Sequence, residues 1–337
     1  MKPPESGEAP SDGSGRRRSI RYSTMNEDGN LQDTIIYRQP WWLDAVAPGG
    51  WDEVVVKRGE DTAARLPYVV EKRAGFTLLK MPPLTQFLGP WLRPGEGKSA
   101  TRLAAEKDLM TELIEGLPPF DHFSQNFQYS ITNWLPFYWR GFAQTTRYTY
   151  RLEDLSDRDR LWSELAENVR RAVRKARKSL SVRHDLGLDE FLKLNALTFS
   201  RQGMEMPYSE DLVRRLDAAC LERSARKIFF AEDSDGRLHA ALYLIWDGDS
   251  AYNLMLGSDP DLRGSGASSL VMWEAVRFAS TVTKAFDFEG SMVESIERSF
   301  RSFGAKQTPY FQVSRMSRRM SFLDSGRRML RALLRTD

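Results

Sequence analysis

The sequence predicts an α+β protein of two related domains in tandem, each a central mixed β-sheet flanked by helices. Three observations carry that prediction. Pro90-Trp91-Leu92-Arg93 reappears as Pro260-Asp261-Leu262-Arg263, each copy after a strand-like stretch and before a Gly-rich turn that leads into a helix. Ala143 and Tyr148 have the same mutual spacing as Ala305 and Tyr310. A length of 337 residues favours about two domains over one, and a period this long is not that of a solenoid.

Residues 1–33 are rich in Pro, Gly, Ser and charge and are expected to form a disordered tail, because they cannot bury enough apolar surface to offset chain entropy. The first domain is expected over 34–153. It opens with an amphipathic stretch over 37–46 carrying Trp41 and Trp42, then strands over 52–57, 64–72 and 76–81 separated by Gly and charged turns. A helix over 98–115 follows from apolar spacing (Leu103, Leu109, Leu113), then a strand over 127–131, a short aromatic helix over 135–142 and a closing strand over 145–152.

The second domain, expected over 154–315, repeats that order after a helical insert. Strands are predicted over 227–232, 238–246 and 251–256, with turns at Asp235-Gly236 and Asp247-Gly248. A helix over 270–281, a strand over 285–288, a helix over 293–303 and a strand over 308–314 complete it. Residues 316–337 read as a basic amphipathic helix that either docks on the protein or lies on an anionic membrane through 316–334.

Composition narrows the function. With 41% hydrophobic and 28% charged residues the chain is ordinary for a soluble globular protein. No apolar run approaches membrane-spanning length and no signal peptide is evident, so a cytoplasmic location is expected, with attachment to the inner membrane surface left open. The single cysteine, Cys220, rules out an internal disulfide, and His122, His184 and His239 lack metal-ligand spacing, so no metal is expected. A net charge of +3 is too small for a protein that coats nucleic acid, though 170–178 and 315–335 are dense in arginine and lysine.

The strongest local signal is Arg263-Gly264-Ser265-Gly266-Ala267-Ser268, between a strand and a helix. Backbone N–H groups at such a helix start favour phosphate, so the segment is either a pyrophosphate cradle or a flexible Gly-Ser connection. Arg263, Gly266 and Ser268 resemble the Arg/Gln-x-x-Gly-x-Gly/Ala motif with which the GNAT acyltransferases hold acyl-CoA, Ser standing for the last small residue. Further residues resemble the FemAB-like tandem GNAT proteins, which include bacterial acyltransferases linked to cell-surface polymers. These are the stretch 286–291 with Asp287 and Glu289, 300–305 with Tyr310, the basic helix 168–176, and Trp41-Trp42-Leu43. The resemblance spans roughly residues 35–315.

That resemblance implies acyl transfer from acyl-CoA, such as acetyl-CoA, to an amine: an amino sugar, an amino acid or a peptidyl precursor of an envelope polymer. Such chemistry needs a base for the amine proton, donors at the acyl oxygen and a route for protonating the leaving thiolate. Glu289 is the favoured base, with Asp287 second; by strand alternation both face one side, where each would raise the other's pKa. Either carboxylate is also a candidate for a plain cap or ion pair. Tyr252 and Asn253 lie on the expected donor strand, where packing is the alternative role. Arg170 and Arg174, one turn apart on the basic helix, and Trp42 are candidates for the acceptor side, and a solvated face is the alternative for the arginines.

Three departures from the family pattern matter. Phe300 stands where a thiol-protonating Tyr would precede Gly304 by four residues. The segment 180–226 is too short for the helical arm of the peptidoglycan transferases, which disfavours a charged-tRNA donor. The first copy of the turn carries Pro94 and Glu96, which removes one N–H and opposes phosphate, so the first domain is expected to be an acceptor platform. Aminoacyl transfer from tRNA and a non-catalytic binding role remain the alternatives.

Overall fold

The computed structural model describes residues 23–25, 31–200, 203–290 and 292–322. The main part of the expected C-terminal helix, 323–337, and most of the expected tail lie outside the described residues. Short strands β1 (Ser23–Met25) and β2 (Leu31–Asp33) pair antiparallel inside the stretch expected to be unstructured. Asp33 is buried and ion-paired to buried Arg38, and this contact ties the end of that stretch to the body of the protein.

In the first half, helix α1 (Pro40–Val46) starts on proline, whose missing N–H costs nothing there. Strands β3 (Trp51–Arg58), β4 (Asp61–Arg73) and β5 (Phe76–Lys80) form a meander, with β6 (Trp91–Leu92) beside β4. Helix α2 (Ser99–Glu115) then leads to β7 (His122–Asn126), α3 (Leu135–Trp139) and β8 (Ala143–Leu152). The strand expected over 127–131 thus falls earlier in the chain. Phe123 and Gln125 supply its inward alternation, and the Gln128 side chain accepts the Ser130 N–H at 2.6 Å and closes a turn that ends it.

The insert comprises α4 (Arg158–Glu164), α5 (Glu167–Ala176), an unforeseen strand β9 (Leu180–Arg183), α6 (Leu188–Ser200) and α7 (Glu210–Glu222). Strands β10 (Arg226–Asp233), β11 (Leu238–Trp246) and β12 (Ser250–Ser258) form the second meander. Helix α8 (Ala267–Ala279), β13 (Ala285–Asp287), α9 (Glu294–Arg301) and β14 (Lys306–Met316) close the fold.

All strands from β3 onward belong to one twelve-stranded mixed sheet in the order β3-β4-β5-β7-β14-β8-β13-β12-β11-β10-β9, with β6 at the side of β4. The duplication is visible in its polarity, because β5 runs parallel to β7 in one half as β12 runs parallel to β13 in the other. The final strands, however, are exchanged. Strand β14 lies against β7, and β8 lies against β13, while β8 and β14 pair antiparallel from Ala143↔Ser314 to Lys306↔Arg151. The last strand of the second half therefore completes the first half's sheet, and the reverse.

Helices α5 and α8 bury one face of the second half in a core that includes Val173, Leu242 and Trp273, while α1, α6 and α7 cover the opposite face with Trp42, Phe191 and Leu216. Contact between α6 and β12 is close: a Cβ on Gly257 would stand 2.6 Å from the Asn195 backbone N. Gly257→Ala must push α6 off the strand, and a loss of roughly 2 kcal/mol is expected, read as a lowered thermal midpoint. A midpoint equal to that of the unaltered protein would show that the helix is loosely seated.

Candidate active site

Strands β12 and β13 pair in parallel only over Ser250↔Ala285, Ala251↔Phe286 and Tyr252↔Asp287. Beyond Tyr252 a bulge at Leu254 bends β12, since Tyr243 of β11 faces Met255 and Leu244 faces Asn253. Past Asp287 the chain leaves the sheet through Glu289 and Gly290, both with positive φ (57° and 38°). Gly290 presses on β8: a Cβ there would stand 2.3 Å from the Tyr148 carbonyl oxygen, so only glycine fits. The two strands therefore diverge, and β12 is left without a strand partner on its β13 side from Asn253 to Ser258 among the described residues.

Two carboxylates occupy the point of divergence. Asp287 is fully buried, and its Oδ1 accepts hydrogen bonds from Thr149 Oγ1 (2.5 Å), the Glu289 N–H (2.8 Å) and Gln86 Nε2 (3.4 Å). Its Oδ2 accepts none among the described residues and faces the Arg151 Nε at 3.9 Å. Burial pushes the Asp287 carboxyl above its ordinary range, against the opposing effect of Arg151 and the donors on Oδ1. Glu289 is half-buried as a residue, and its carboxylate accepts the hydroxyl of fully buried Tyr37. Desolvation holds the Glu289 carboxyl well above the usual range, the Tyr37 hydrogen bond opposes the shift, and the charge of Asp287 adds to it.

Aromatic rings wall the carboxylates. Tyr37 meets Tyr252 at 4.9 Å, Trp42 at 5.1 Å and Phe87 at 6.4 Å, all edge-on, and Phe87 meets Tyr310 at 5.1 Å. The Arg151 guanidinium lies over the Tyr129 ring at 4.0 Å. The Tyr252 hydroxyl turns away and donates to Asp247 Oδ2 at 3.0 Å, while burial pushes the Asp247 carboxyl up to about 6. Tyr252 thus packs against the residue that holds Glu289 and spends its own proton on another acid. Asn253 is buried, and its Oδ1 accepts no hydrogen bond among the described residues.

The Gly-rich turn forms the mouth of a separate hollow of about 370 Å³ lined by Arg263 to Ser269. Gly266 is the N-cap of α8 at φ +84°, with no side chain capping the helix from that position, and a Cβ on it would stand 2.4 Å from the Ala172 carbonyl oxygen. Ser265 Oγ accepts the Ala267 N–H at 3.3 Å. Arg263 is exposed and pairs with no carboxylate among the described residues. An anion fits this set: a helix N-terminus, a close backbone approach and a cation that pairs with no carboxylate among the described residues.

The structure brings together Glu289, Asp287 and the face of Tyr252, and separately gathers Arg263, Gly264, Ser265, Gly266, Ala267 and Ser268. It puts Trp42 in the core, with its indole N–H on Thr85 Oγ1 at 3.0 Å, so it backs Tyr37 instead of facing an opening. Arg170 and Arg174 both bind Glu167, and Arg170 also binds the Ser163 carbonyl; neither touches the carboxylate cluster. The basic helix, expected beside the acceptor, lies instead against the Gly-rich turn, where Lys175 Nζ donates to the Gly264 carbonyl. Its apolar face, Val169, Val173 and Ala176, belongs to the core shared with α8, and that packing decides its place. Tyr37, Gln86, Thr149 and Arg151 escaped sequence reading; their only signal was polarity inside apolar runs.

Comparison with known proteins bears on the fold that carries these residues. Residues 163–291, which include β12, the Gly-rich turn and both carboxylates, match the family model described as an acetyltransferase (GNAT) domain. Among solved structures, FemX superposes with a TM-score of 0.63 at 13% identity, over 82% of this chain and 92% of that one. The C-terminal domain (DUF2156) of a putative lysylphosphatidylglycerol synthetase from Agrobacterium fabrum gives 0.52 at 12% identity, over 82% and 90% of the two chains. A conserved protein of unknown function from Bacteroides thetaiotaomicron VPI-5482 gives 0.52 at 10%, over 82% and 90%. No curated protein sequence matches the chain.

Proposed function

We propose that this chain, a GNAT acyltransferase of the tandem FemAB-like kind, transfers an acyl group from acyl-CoA to an amine, with Glu289 as the base. The single observation that carries the reading is the desolvated Glu289 carboxylate, held by Tyr37 where β12 and β13 part. A carboxylate pushed toward neutrality is matched to taking a proton from an ammonium or an attacking amine near pH 7.

Acyl-CoA, when bound, supplies an activated thioester. The residues of this chain would hold it in two places. Arg263 and the backbone from Gly264 to Ser268 line the hollow that would take the pyrophosphate. The edge of β12 past Tyr252, which has no strand partner on its β13 side among the described residues, would offer its remaining backbone groups to an extended chain, α6 already holding the Leu256 carbonyl through Asn195 and the Ser258 N–H through Thr198. Tyr37, Phe87 and Tyr310 exclude water from the carboxylates, and Asp287, fixed by Thr149 and Gln86, keeps the Glu289 backbone in place through its N–H.

Phe300 packs on Phe288 at 5.3 Å and carries no hydroxyl, so the departing thiol must take its proton from solvent or from the acid form of Glu289. An acceptor amine on an amino sugar, amino acid or peptidyl precursor of an envelope polymer suits the resemblance noted in the sequence. No helix among the described residues is long and apolar enough to cross a membrane.

The test is to incubate the protein with acetyl-CoA and a panel of primary amines of those three classes and follow the release of free thiol. Cys220 is buried and its thiol is pushed up to about 12, so it adds little background. Thiol release that depends on one class of amine is expected. Release with none of them would overturn the reading.

A further inference from the structure

Near the two carboxylates stands a cation with no carboxylate of its own among the described residues: Arg147, on β8. Other sheltered arginines are answered. Arg38 holds Asp33 at 2.6 Å, Arg65 holds Glu53 at 2.7 Å and Arg226 holds Asp217 at 2.9 Å. Arg151, two turns of the pleat along β8, has Asp287 at 3.9 Å and Glu153 at 4.0 Å. Arg147 is half-buried, and its Nε is buried with no hydrogen-bond partner among the described residues. Taking a guanidinium out of water without a counter-charge costs stability, and its planar fork matches the paired oxygens of a carboxylate or a phosphate.

The sheet fixes where Arg147 stands. It lies opposite Tyr310 of β14 and two residues before Thr149, the donor to Asp287, so both β8 side chains rise from one face, their Cα atoms roughly 6.8 Å apart. The turn that carries Glu289 crosses β8 beside them: a Cβ on Gly290 would stand 2.5 Å from the Thr149 Cα. Arg147 Nη1 donates to Gln312 Oε1 at 3.5 Å, Gln312 Nε2 to Asn126 Oδ1 at 3.3 Å, and Asn126 Nδ2 to the Gln86 carbonyl at 3.1 Å. Gln86 Nε2 in turn reaches Asp287. A polar belt thus runs from the guanidinium to the buried acid. Tyr310 feels both ends of it: burial pushes its hydroxyl up, Arg147 opposes through its charge and a hydrogen bond, and Asp287 and Glu289 add to the shift.

From this placement we infer that Arg147 selects the acceptor: the substrate is an amine that also carries a carboxylate or a phosphate, with the anion seated on the Arg147 guanidinium while the amine meets Glu289. The inference rests on the acyl-transfer reading above and narrows its acceptor to amines with an anionic group. No bond is made or broken at Arg147, and the amine proton still passes to Glu289. Its effect belongs to binding and orientation, because two contacts at opposite ends of a small acceptor fix the direction from which nitrogen approaches the thioester. A neutral amine of the same size would leave the guanidinium unanswered.

The test gives the full chain acetyl-CoA and matched acceptors and follows thiol release. The pairs are alanine and alaninamide, alanylalanine and its C-terminal amide, and glucosamine 6-phosphate and glucosamine. In at least one pair the anionic member should show a kcat/KM roughly 10- to 100-fold higher, carried mainly by KM, and the responding pair tells carboxylate from phosphate. Blocking the carboxylate lowers the amine's own pKa and so favours the neutral member chemically, which works against the expected order. In Arg147→Gln, whose amide can still donate to Gln312, the ratio should fall to near one, and in Arg147→Glu it should invert. Arg147→Lys keeps the charge without the fork and should retain part of the preference. Thermal melts of the three variants separate lost recognition from a lost fold. Neutral members that serve the unaltered protein as well as their anionic partners, or a preference that survives in folded Arg147→Gln, would refute the role of Arg147 while leaving acyl transfer standing. No thiol release with any amine would overturn both.

Discussion

Glu289→Gln is expected to lower kcat/KM for amine acylation by roughly 10²–10⁴-fold, the range for removal of a general base. The change is nearly isosteric, and the amide oxygen can still accept the Tyr37 hydroxyl, so the fold should survive. The sign of the pH effect follows from the direction of the shift. Because the folded-state pKa of Glu289 lies above its unfolded value, the base is lost to protonation as pH falls through that raised value. Activity of the unaltered enzyme should therefore climb with pH to a plateau reached well above the ordinary carboxylate range, and the residual activity of Glu289→Gln should lack that limb. The same shift means that ionising Glu289 costs stability, which is greatest below the unfolded pKa and declines as pH rises through the folded one. At pH 8 Glu289→Gln should consequently melt no lower than the unaltered protein. A variant that melts normally and acylates within threefold of the unaltered enzyme would remove Glu289 from the mechanism.

Gly266→Ala should be the most damaging small substitution at the donor turn. Its φ of +84° disfavours any L side chain, and the added Cβ would lie 2.4 Å from the Ala172 carbonyl oxygen, which is backbone and cannot swing aside. Helix α5 must retreat or the start of α8 must reorient, and either displaces the N–H groups that face the hollow. A loss of about 100-fold in acetyl-CoA affinity is expected, equivalent to ~2.7 kcal/mol. Gly264→Ala is the internal control. Its φ is +83°, yet nothing lies within 4 Å of its Cβ, so only the left-handed strain of about 1–2 kcal/mol applies. Equal losses in the two variants would show that strain alone, and not the approach of α5, shapes the turn.

Much of this was readable in the residues. A GNAT-like fold with an internal duplication was expected from the repeated Pro-x-Leu-Arg and from the resemblance carried by the Gly-rich turn and the 286–291 stretch, because each is a local pattern. The order β12, α8, β13, α9, β14 was legible for the same reason. The exchange of β8 and β14 was not. Tyr148 of β8 and Tyr310 of β14 each follow an alanine by five residues, Ala143 and Ala305, so this shared spacing does not say which half either strand joins.

That exchange also hid half of the candidate site. It sets Arg151 opposite Asp287 and brings Thr149 onto its Oδ1, whereas in sequence these residues lie some 140 positions away. Tyr37 was hidden differently: it falls in a stretch whose signal was dominated by Trp41 and Trp42, and its hydroxyl meets Glu289 because the 3-10 turn Ile36–Arg38 sets its ring against Tyr252 of β12. The position of the basic helix was hidden for a third reason. Its charges suggested an acceptor, but the three apolar residues on its other face set its position against α8.

On the proposed reading, one chain holds an acyl-CoA donor at the Gly-rich turn and a base at Glu289. The most direct test is a calorimetric titration with acetyl-CoA of the unaltered protein, Gly266→Ala and Glu289→Gln under one set of conditions. One-to-one binding in the micromolar range, lost in Gly266→Ala and retained in Glu289→Gln, is the predicted result. Absence of binding to the unaltered protein, or equal binding by all three, would contradict it.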